Sequence, residues 1–205
     1  MKRILSVQGD LLQIHKSIGV RHYLKTQSGR VLESREYVAD AVKMIRKLIG
    51  QRSLTFLELG CGCLDIAGPW SAEEAYHNSV IGYDCNEQYG PWIRDHYPTA
   101  AFLACDVVEA LPMKCDVLVA CEVLEHLSTP YLTLSKYAKD ARSIVISHPL
   151  DEPADFPDKE HYWSLSMDDF KAFFEMNGFE IKKKAVKKFG SFNLVFGYGV
   201  NTNKL

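Results

Sequence analysis

Hydrophobic and polar positions along this chain change period several times, and each change marks an element. Before residue 34 the pattern is only weakly helical, with two basic-rich stretches and with Gly19 and Gly29 reading as breaks. From Ser34 onward Val38, Ala41, Val42, Ile45, Leu48 and Ile49 recur at helical spacing until Gly50, predicting an amphipathic helix with one face on a sheet. Residues 54–58 form a short β-rich run that ends at Gly60-Cys61-Gly62, the pattern of a buried parallel strand entering a tight turn. Ser71-Ala-Glu-Glu74 has the form of a capping box and predicts a helix from there to His77. Residues 79–84, 101–104, 116–121 and 143–147 are further apolar runs of strand length, with a short helix at 87–96 closed by Pro98. A helix starts at Thr129-Pro130, where proline occupies a tolerated first-turn position. Ser166-Met-Asp-Asp169 is a second capping box; Phe170, Phe173 and Phe174 give its helix a core face, and Asn177-Gly178 ends it. Residues 179–189 and 191–198 alternate loosely about Gly190, as the strands of a closing antiparallel hairpin do.

Strands alternating with helices predict an α/β domain around a largely parallel sheet. Its first strand, glycine turn and next strand, which ends at Asp84 22 residues beyond Gly62, form a nucleotide-binding βαβ unit with the acid placed for ribose hydroxyls. A dinucleotide fingerprint would need a third glycine at position 65, and that residue is Asp65, which repels a pyrophosphate. Glu58 before the turn is equally unsuited to phosphate, and suited to a cationic ligand.

On these residues the chain resembles the class I S-adenosylmethionine-dependent methyltransferases, whose first motif, E/D-x-G-x-G, is matched by Glu58-Leu-Gly60-Cys-Gly62. It departs from them at Leu64, where a third glycine is usual, and at Gly68-Pro69, which interrupts the helix expected next. The resemblance covers about residues 34–200. It implies a Rossmann-like seven-stranded sheet in the order 3-2-1-4-5-7-6, strand 7 antiparallel, with helices on both faces. It divides the chain into a methyltransferase domain at 34–205 and a segment, 1–33, of a kind that folds over the cofactor as a lid in similar enzymes. The implied contacts to S-adenosylmethionine are Glu58, Gly60, Cys61, Gly62, Asp84, Cys85, Asp106, Val107 and Cys121. Among them, Asp84 takes the ribose and Asp106 the adenine amino group.

Composition narrows the setting. The 205 residues, 47% hydrophobic, suffice for one domain with a substantial core, and no apolar run approaches the roughly 18 residues of a membrane span. The N-terminal stretch has no secretory h-region or cleavage site, and the six cysteines include no CxxC pair, so reduced thiols in a cytoplasmic protein are expected. The net charge of −2 conceals an asymmetry. Residues 1–52 hold 11 Lys/Arg against 4 Asp/Glu, or +7, and the remainder 13 against 22, or −9. Either a solvated helical surface or an electropositive rim for an anionic acceptor, nucleic acid included, satisfies that asymmetry. Lys182 to Lys184, Lys187 and Lys188 read as edge protection on an exposed strand.

Candidate chemistry gathers after the fourth strand, in Glu122-Val-Leu-Glu125-His126. Methyl transfer needs alignment above all, and transfer to a hydroxyl also needs a proton acceptor, for which His126 and Glu122 are the catalytic candidates. At helical spacings of three and four, Glu122, Glu125 and His126 share a face, and two converging carboxylates need a proton or a cation between them. A divalent Mg²⁺, Mn²⁺, Fe²⁺ or Zn²⁺ is one resolution. The segment is similar to metal-binding ones in the ubiquinone-biosynthesis O-methyltransferases and in the small-RNA 3′-terminal ribose 2′-O-methyltransferases. In the RNA enzymes a later H-x-F/W stretch before a helix adds a histidine, and His161-Tyr162-Trp163 resembles it, giving Glu122, Glu125, His126 and His161 as the implied ligands. Similar segments also occur in methyltransferases without a metal, where His126 would act alone. His148, at a strand end, is an alternative imidazole, while His15, His22, His77 and His96 lack motif context and are expected on the surface. The acidic, proline-rich stretch 150–160 is a candidate acceptor loop.

Three functions remain open on these residues. The first is O-methylation of a small molecule. The second is methylation of a nucleic acid, RNA ribose in particular, or of a nucleotide, favoured by the basic N-terminal quarter but unsupported by any N-P-P-Y or D-P-P-Y motif or separate RNA-binding domain. The third is a non-catalytic cofactor-binding module, against which the intact glycine motif with Asp84 and Asp106 argues. A nicotinamide oxidoreductase is disfavoured by Asp65.

Overall fold

The computed structural model describes residues 2–3, 11–16, 18–50, 53–73, 76–153 and 160–205. The chain begins with strand β1 (Lys2–Arg3), helix α1 (Leu11–Lys16) and a long helix α2 (Val20–Ile49). Strands β2 (Thr55–Leu59) and β3 (Ser79–Asp84), helix α3 (Tyr89–His96) and strand β4 (Ala101–Ala104) follow, then β5 (Cys115–Cys121), α4 (Pro130–Ala138) and β6 (Ala141–Leu150). The last elements are β7 (Trp163–Ser164), α5 (Met167–Glu175), β8 (Glu180–Phe189) and β9 (Phe192–Val200).

Seven strands form one sheet in the order β4-β3-β2-β5-β6-β9-β8. Strands β2 to β6 run parallel, and β9 is antiparallel to both β6 and β8. Counted from the N-terminus, the seven strands lie in the expected order 3-2-1-4-5-7-6. The order reverses between β2 and β5, and open parallel sheets bind ligands outside the carboxyl ends of strands at such a switch point. β1 and β7 pair separately as a two-stranded antiparallel ribbon.

Side chains alternate across the pleat, so each strand feeds two cores. On one side Phe56, Val117, Val119, Val145 and Phe196 pack against α2 through Val38, Ala41, Val42 and Ile45, the predicted helical stripe, each of those four no more than 2% exposed. On the other, Leu57, Leu118, Ile144 and Ile146 pack against Leu134 and Tyr137 of α4 and Phe170, Phe173 and Phe174 of α5. Each such side chain, fully buried, contributes about 1.5–3 kcal/mol. Helix α5 opens with the predicted capping box: the Asp169 N–H donates to Ser166 Oγ, and the Ser166 N–H to Asp169 Oδ2.

Two expectations are corrected. Helix α2 starts at Val20 and passes through Gly29, which costs a helix interior about 1 kcal/mol but does not end it. The helix ends at Gly50, which supplies a left-handed cap with φ 65° and its N–H on the Arg46 carbonyl. No helix restarts at Ser71: a 3₁₀ turn spans Gly68–Ala72. The Ser71 hydroxyl donates back to the Gly68 carbonyl (2.7 Å), and the Glu73 carboxylate accepts from Arg46 and Asn78 (2.9 Å each), holding the chain out of a helix. Glu74, the partner in the predicted capping box, lies outside the described residues, as do residues 154–159 of the predicted acceptor loop. The lysines of β8 do lie on a sheet edge, with Lys183 and Lys187 paired to Asp40 and Glu33 of α2. All six cysteines are free thiols.

His148 is corrected as well. Its ring is fully buried against Phe170 and Phe173 and does not line the site cavity described below, with Nδ1 donating to the Pro149 carbonyl at 2.8 Å and Nε2 without a hydrogen-bond partner among the described residues. Burial pushes its pKa down to about 4. A base with a depressed folded pKa supports the fold above its ordinary pKa and loses that support as pH falls toward the folded value. Between pH 6.5 and 4 the loss is about 3 kcal/mol. Denaturant titrations at a series of pH values check this: His148→Leu should flatten the decline, and an unchanged profile would assign the acid sensitivity to other groups.

Candidate functional site

A cavity of about 430 Å³ opens at the carboxyl ends of the strands around the switch point, walled by Gly60, Asp84 and Asp106 on the sheet side and by His15, Tyr23 and Arg30 from α1 and α2. Its first half is built on the glycine turn. Gly60 and Gly62 adopt φ 59° and 51°, which glycine tolerates without a Cβ penalty, and a Cβ at either would collide with Val123 or Tyr23. Leu64, where a third glycine was expected, takes the same left-handed conformation at φ 59°, so the backbone path is kept at a cost of about 1–2 kcal/mol. Its fully buried side chain offsets that cost.

Asp84 ties this turn to the neighbouring strand. Its Oδ2 accepts from the Gly62 N–H at 2.8 Å and its Oδ1 from the Asn86 N–H at 2.9 Å. Burial raises its pKa, and the two N–H groups oppose the rise. Glu58 is 2% exposed and accepts from the Ala67 N–H at 2.8 Å; burial pushes its pKa up to about 8. Asp106 borders the far end of the cavity, its Oδ1 accepting from the Val108 N–H, with Val107 buried alongside. Cys85 also faces the cavity, whereas Cys61 lies wholly beneath the turn and Cys121 under a small side cavity. Burial lifts the thiols of Cys85 and Cys121 to about 12, so neither is a ready nucleophile.

The other half is built on the chain leaving β5, and not as one helical face. Glu122 has φ 52°, and a 3₁₀ turn spans Leu124–His126. After that left-handed step the Glu122 carboxylate is engaged outside the cluster that Glu125 joins: its Oε1 accepts from the Ser147 hydroxyl at 2.8 Å, and its Oε2 lies 3.4 Å from the Arg30 guanidinium, while its charge still acts on Glu125. Glu125, His126 and His161 converge instead, with one ligand-type atom from each within 4.8 Å of the others. The Tyr162 N–H donates to the Glu125 carbonyl at 2.8 Å, which brings His161 to this place from a distant loop.

Both imidazoles are held through Nδ1. That of His126 donates to the Glu160 carbonyl at 2.6 Å, which leaves the lone pair on Nε2, and that of His161 meets the Glu152 carboxylate at 2.7 Å. Burial, then His161 and His15, drive the His126 pKa well below its ordinary value. Glu125 is 1% exposed, and neither of its oxygens has a hydrogen-bond partner. Burial, then Glu122, push its pKa well up. The arrangement offers two imidazole nitrogens and a carboxylate to one point in space.

His15, expected on the surface, packs its ring edge-on against His126 at 4.7 Å between centroids. The Asn86 amide holds α1 there by donating to the His15 and Ile18 carbonyls. Tyr23 and Arg30 were likewise not singled out as site residues. Nothing in the local pattern marks these positions, because what places them is a side chain from the β3–α3 loop. His77 and His96 are exposed as expected, and the His22 side chain lies outside the described residues.

No protein-family model matches the sequence, and no curated protein does. Among solved structures, the magnesium protoporphyrin IX methyltransferase ChlM of Synechocystis PCC 6803, with bound S-adenosylmethionine, superposes at a TM-score of 0.69 with 16% identity. The match covers 95% of this chain and 99% of that one. The N-methyltransferase NodS of Bradyrhizobium japonicum WM9, in complex with S-adenosylhomocysteine, gives 0.64 at 12% identity over 93% and 96%. The [4+2]-cyclase SpnF gives 0.59 at 9% identity over 78% and 79%. The chain therefore has the class I S-adenosylmethionine-dependent methyltransferase fold. A cyclase among the similar structures means that activity has to be argued from the site.

The lone Glu125 carboxylate carries a direct expectation. A buried carboxyl, whether desolvated as a charge or held protonated against its ordinary pKa, costs the fold more than a neutral amide of the same shape. In chelator at neutral pH, Glu125→Gln should raise stability by about 1–3 kcal/mol in urea unfolding. A loss of stability would mean that the carboxylate is already compensated within the protein.

Proposed function

We propose that this protein transfers a methyl group from S-adenosylmethionine to a hydroxyl oxygen of a small-molecule acceptor positioned beside a divalent cation. The observation that carries the reading is the buried Glu125 carboxylate, without a hydrogen bond among the described residues, with a ring nitrogen of His126 and one of His161 within 4.8 Å. His126 and His161 line the same cavity as Asp84 and Asp106.

The residues around the glycine turn fit S-adenosylmethionine. Glu58, Asp65 and Asp84 are acids, unsuited to a pyrophosphate and suited to a cationic ligand without phosphate. The second cluster fits a cation, because two neutral imidazoles and a carboxylate form a recognised donor set for divalent metals. When bound, the cofactor supplies a methyl group activated by its sulfonium, and the cation supplies a Lewis acid that orients acceptor hydroxyls and lowers a hydroxyl pKa.

The protein's own residues do the remaining work. Asp84 accepts from the ribose hydroxyls, Asp106 from the adenine amino group, and Gly60, Gly62 and Cys85 form the cofactor wall next to Val107. Glu58, Cys61 and Cys121 support that wall from beneath. Glu125, His126 and His161 hold the cation. Glu122 stays outside that set and becomes the proton acceptor, fixed by Ser147 and Arg30; burial raises its pKa and Arg30 opposes the rise. Without a cation, His126 takes that role through Nε2. His15 and Tyr23 cover the cavity and exclude water, the role expected of a lid. A terminal ribose diol of RNA is the second reading of the acceptor, favoured by the +7 charge of residues 1–52.

Calorimetry with S-adenosylhomocysteine tests the cofactor half. Micromolar binding is expected, nearly unaffected by chelator, and weaker by about 1.5–3 kcal/mol in Asp84→Ala, which loses the charge-assisted ribose bonds. Unchanged affinity in that variant would remove the assignment. With hydroxylated acceptors and with 3′-terminal RNA, chelation should abolish transfer; transfer that survives it would return the base role to His126.

A further inference from the structure

The carboxylate behind His161 has no part in the scheme so far. Glu152 follows the end of β6 across a tight turn in which Asp151 adopts φ 50° and donates its N–H to the Leu165 carbonyl at 2.9 Å. The turn drives the side chain inward until Glu152 is only 5% exposed. Its Oε2 meets His161 Nδ1 at 2.7 Å, and its Oε1 has no hydrogen-bond partner. Burying a carboxylate costs several kcal/mol, and the contact with His161 is the one hydrogen bond that meets it among the described residues.

Glu125 and Glu152 both carry oxygens without a hydrogen bond among the described residues, and His161 stands against both of these buried carboxyl groups. The hydrogen bond also fixes the tautomer, since a carboxylate only accepts, so His161 donates through Nδ1 and offers Nε2.

We propose that Glu152 is a positioning residue of the cation site: it holds the His161 ring through Nδ1, in the tautomer whose Nε2 can bind a cation. This rests on the cation reading above. It adds a residue that touches neither acceptor nor cofactor and acts only through His161.

The test uses the full chain with Mn²⁺ alone, followed by calorimetry, and with Co²⁺ alone, followed by its visible absorption. Glu152→Gln keeps an acceptor for Nδ1–H and removes the charge; Glu152→Ala removes both. Affinity for both ions should fall about 10–100-fold in the alanine variant and by less in the glutamine variant. The Co²⁺ bands should shift in the alanine variant, as the ring turns. Binding of S-adenosylhomocysteine should stay at the wild-type value in both variants and report that the domain is folded. A merely structural ion pair predicts something else: both variants lose stability in chelator while ion affinity holds. Wild-type ion binding that is matched within twofold by Glu152→Ala would overturn the role of Glu152 and leave the cation reading standing. No binding of either ion by the wild type would overturn both.

Discussion

Buried carboxylates at one edge of a parallel sheet are the constraint on which this structure turns. Glu58, Asp84, Glu122 and Glu125 all lie at or just beyond the carboxyl ends of β2, β3 and β5, where the strands deliver them into a space largely closed to water. Each needs an answer to its desolvation, and the answers differ. Asp84 is met by two backbone N–H groups, Glu58 by one N–H and a raised proton affinity, and Glu122 by a hydroxyl and a guanidinium. Glu125 is met by no hydrogen bond at all.

Helix α2 links that edge to the rest of the molecule. Its C-terminal half is an ordinary core helix, with Val38, Ala41, Val42 and Ile45 buried on the sheet. Its N-terminal half carries Tyr23 and Arg30 over the cavity. A single rigid element therefore converts sheet packing into the position of the guanidinium that fixes Glu122. Four residues other than glycine hold left-handed conformations among the described residues; Leu64, Glu122 and Asp151 lie at the glycine turn, after β5 and before Glu152, and the exposed His77 lies apart from them. Strain of this kind persists only where surrounding packing over-determines it, and it gathers at functional sites.

Much of the fold was legible in the sequence because it was written in local period. The strands, the stripe from Val38 to Ile45, the capping box at Ser166 and the hairpin about Gly190 each declare themselves within about ten residues. The glycine turn and Asp84 were legible for the same reason, through fixed spacing in one βαβ unit. The misreadings came where distant contacts decide. Gly29 looked like a break because propensity, not the packing of a 30-residue helix, was visible. Ser71 looked like a cap, but Arg46 and Asn78 claim Glu73. Helical spacing predicted that Glu122 would join Glu125, and one left-handed residue separates them. His15 and Glu152 carry no motif, and only the folded chain brings them to His126 and His161.

The central claim is that two imidazoles and Glu125 form a cation site that shares a cavity with the cofactor. Crystals grown with S-adenosylhomocysteine and Mn²⁺, measured for anomalous scattering at the manganese edge, test it most directly. The account predicts one stoichiometric anomalous peak bounded by Glu125, His126 and His161, with Glu152 behind His161 and the ribose hydroxyls on Asp84. Cofactor density on Asp84 with no anomalous peak at the imidazole pair would contradict it.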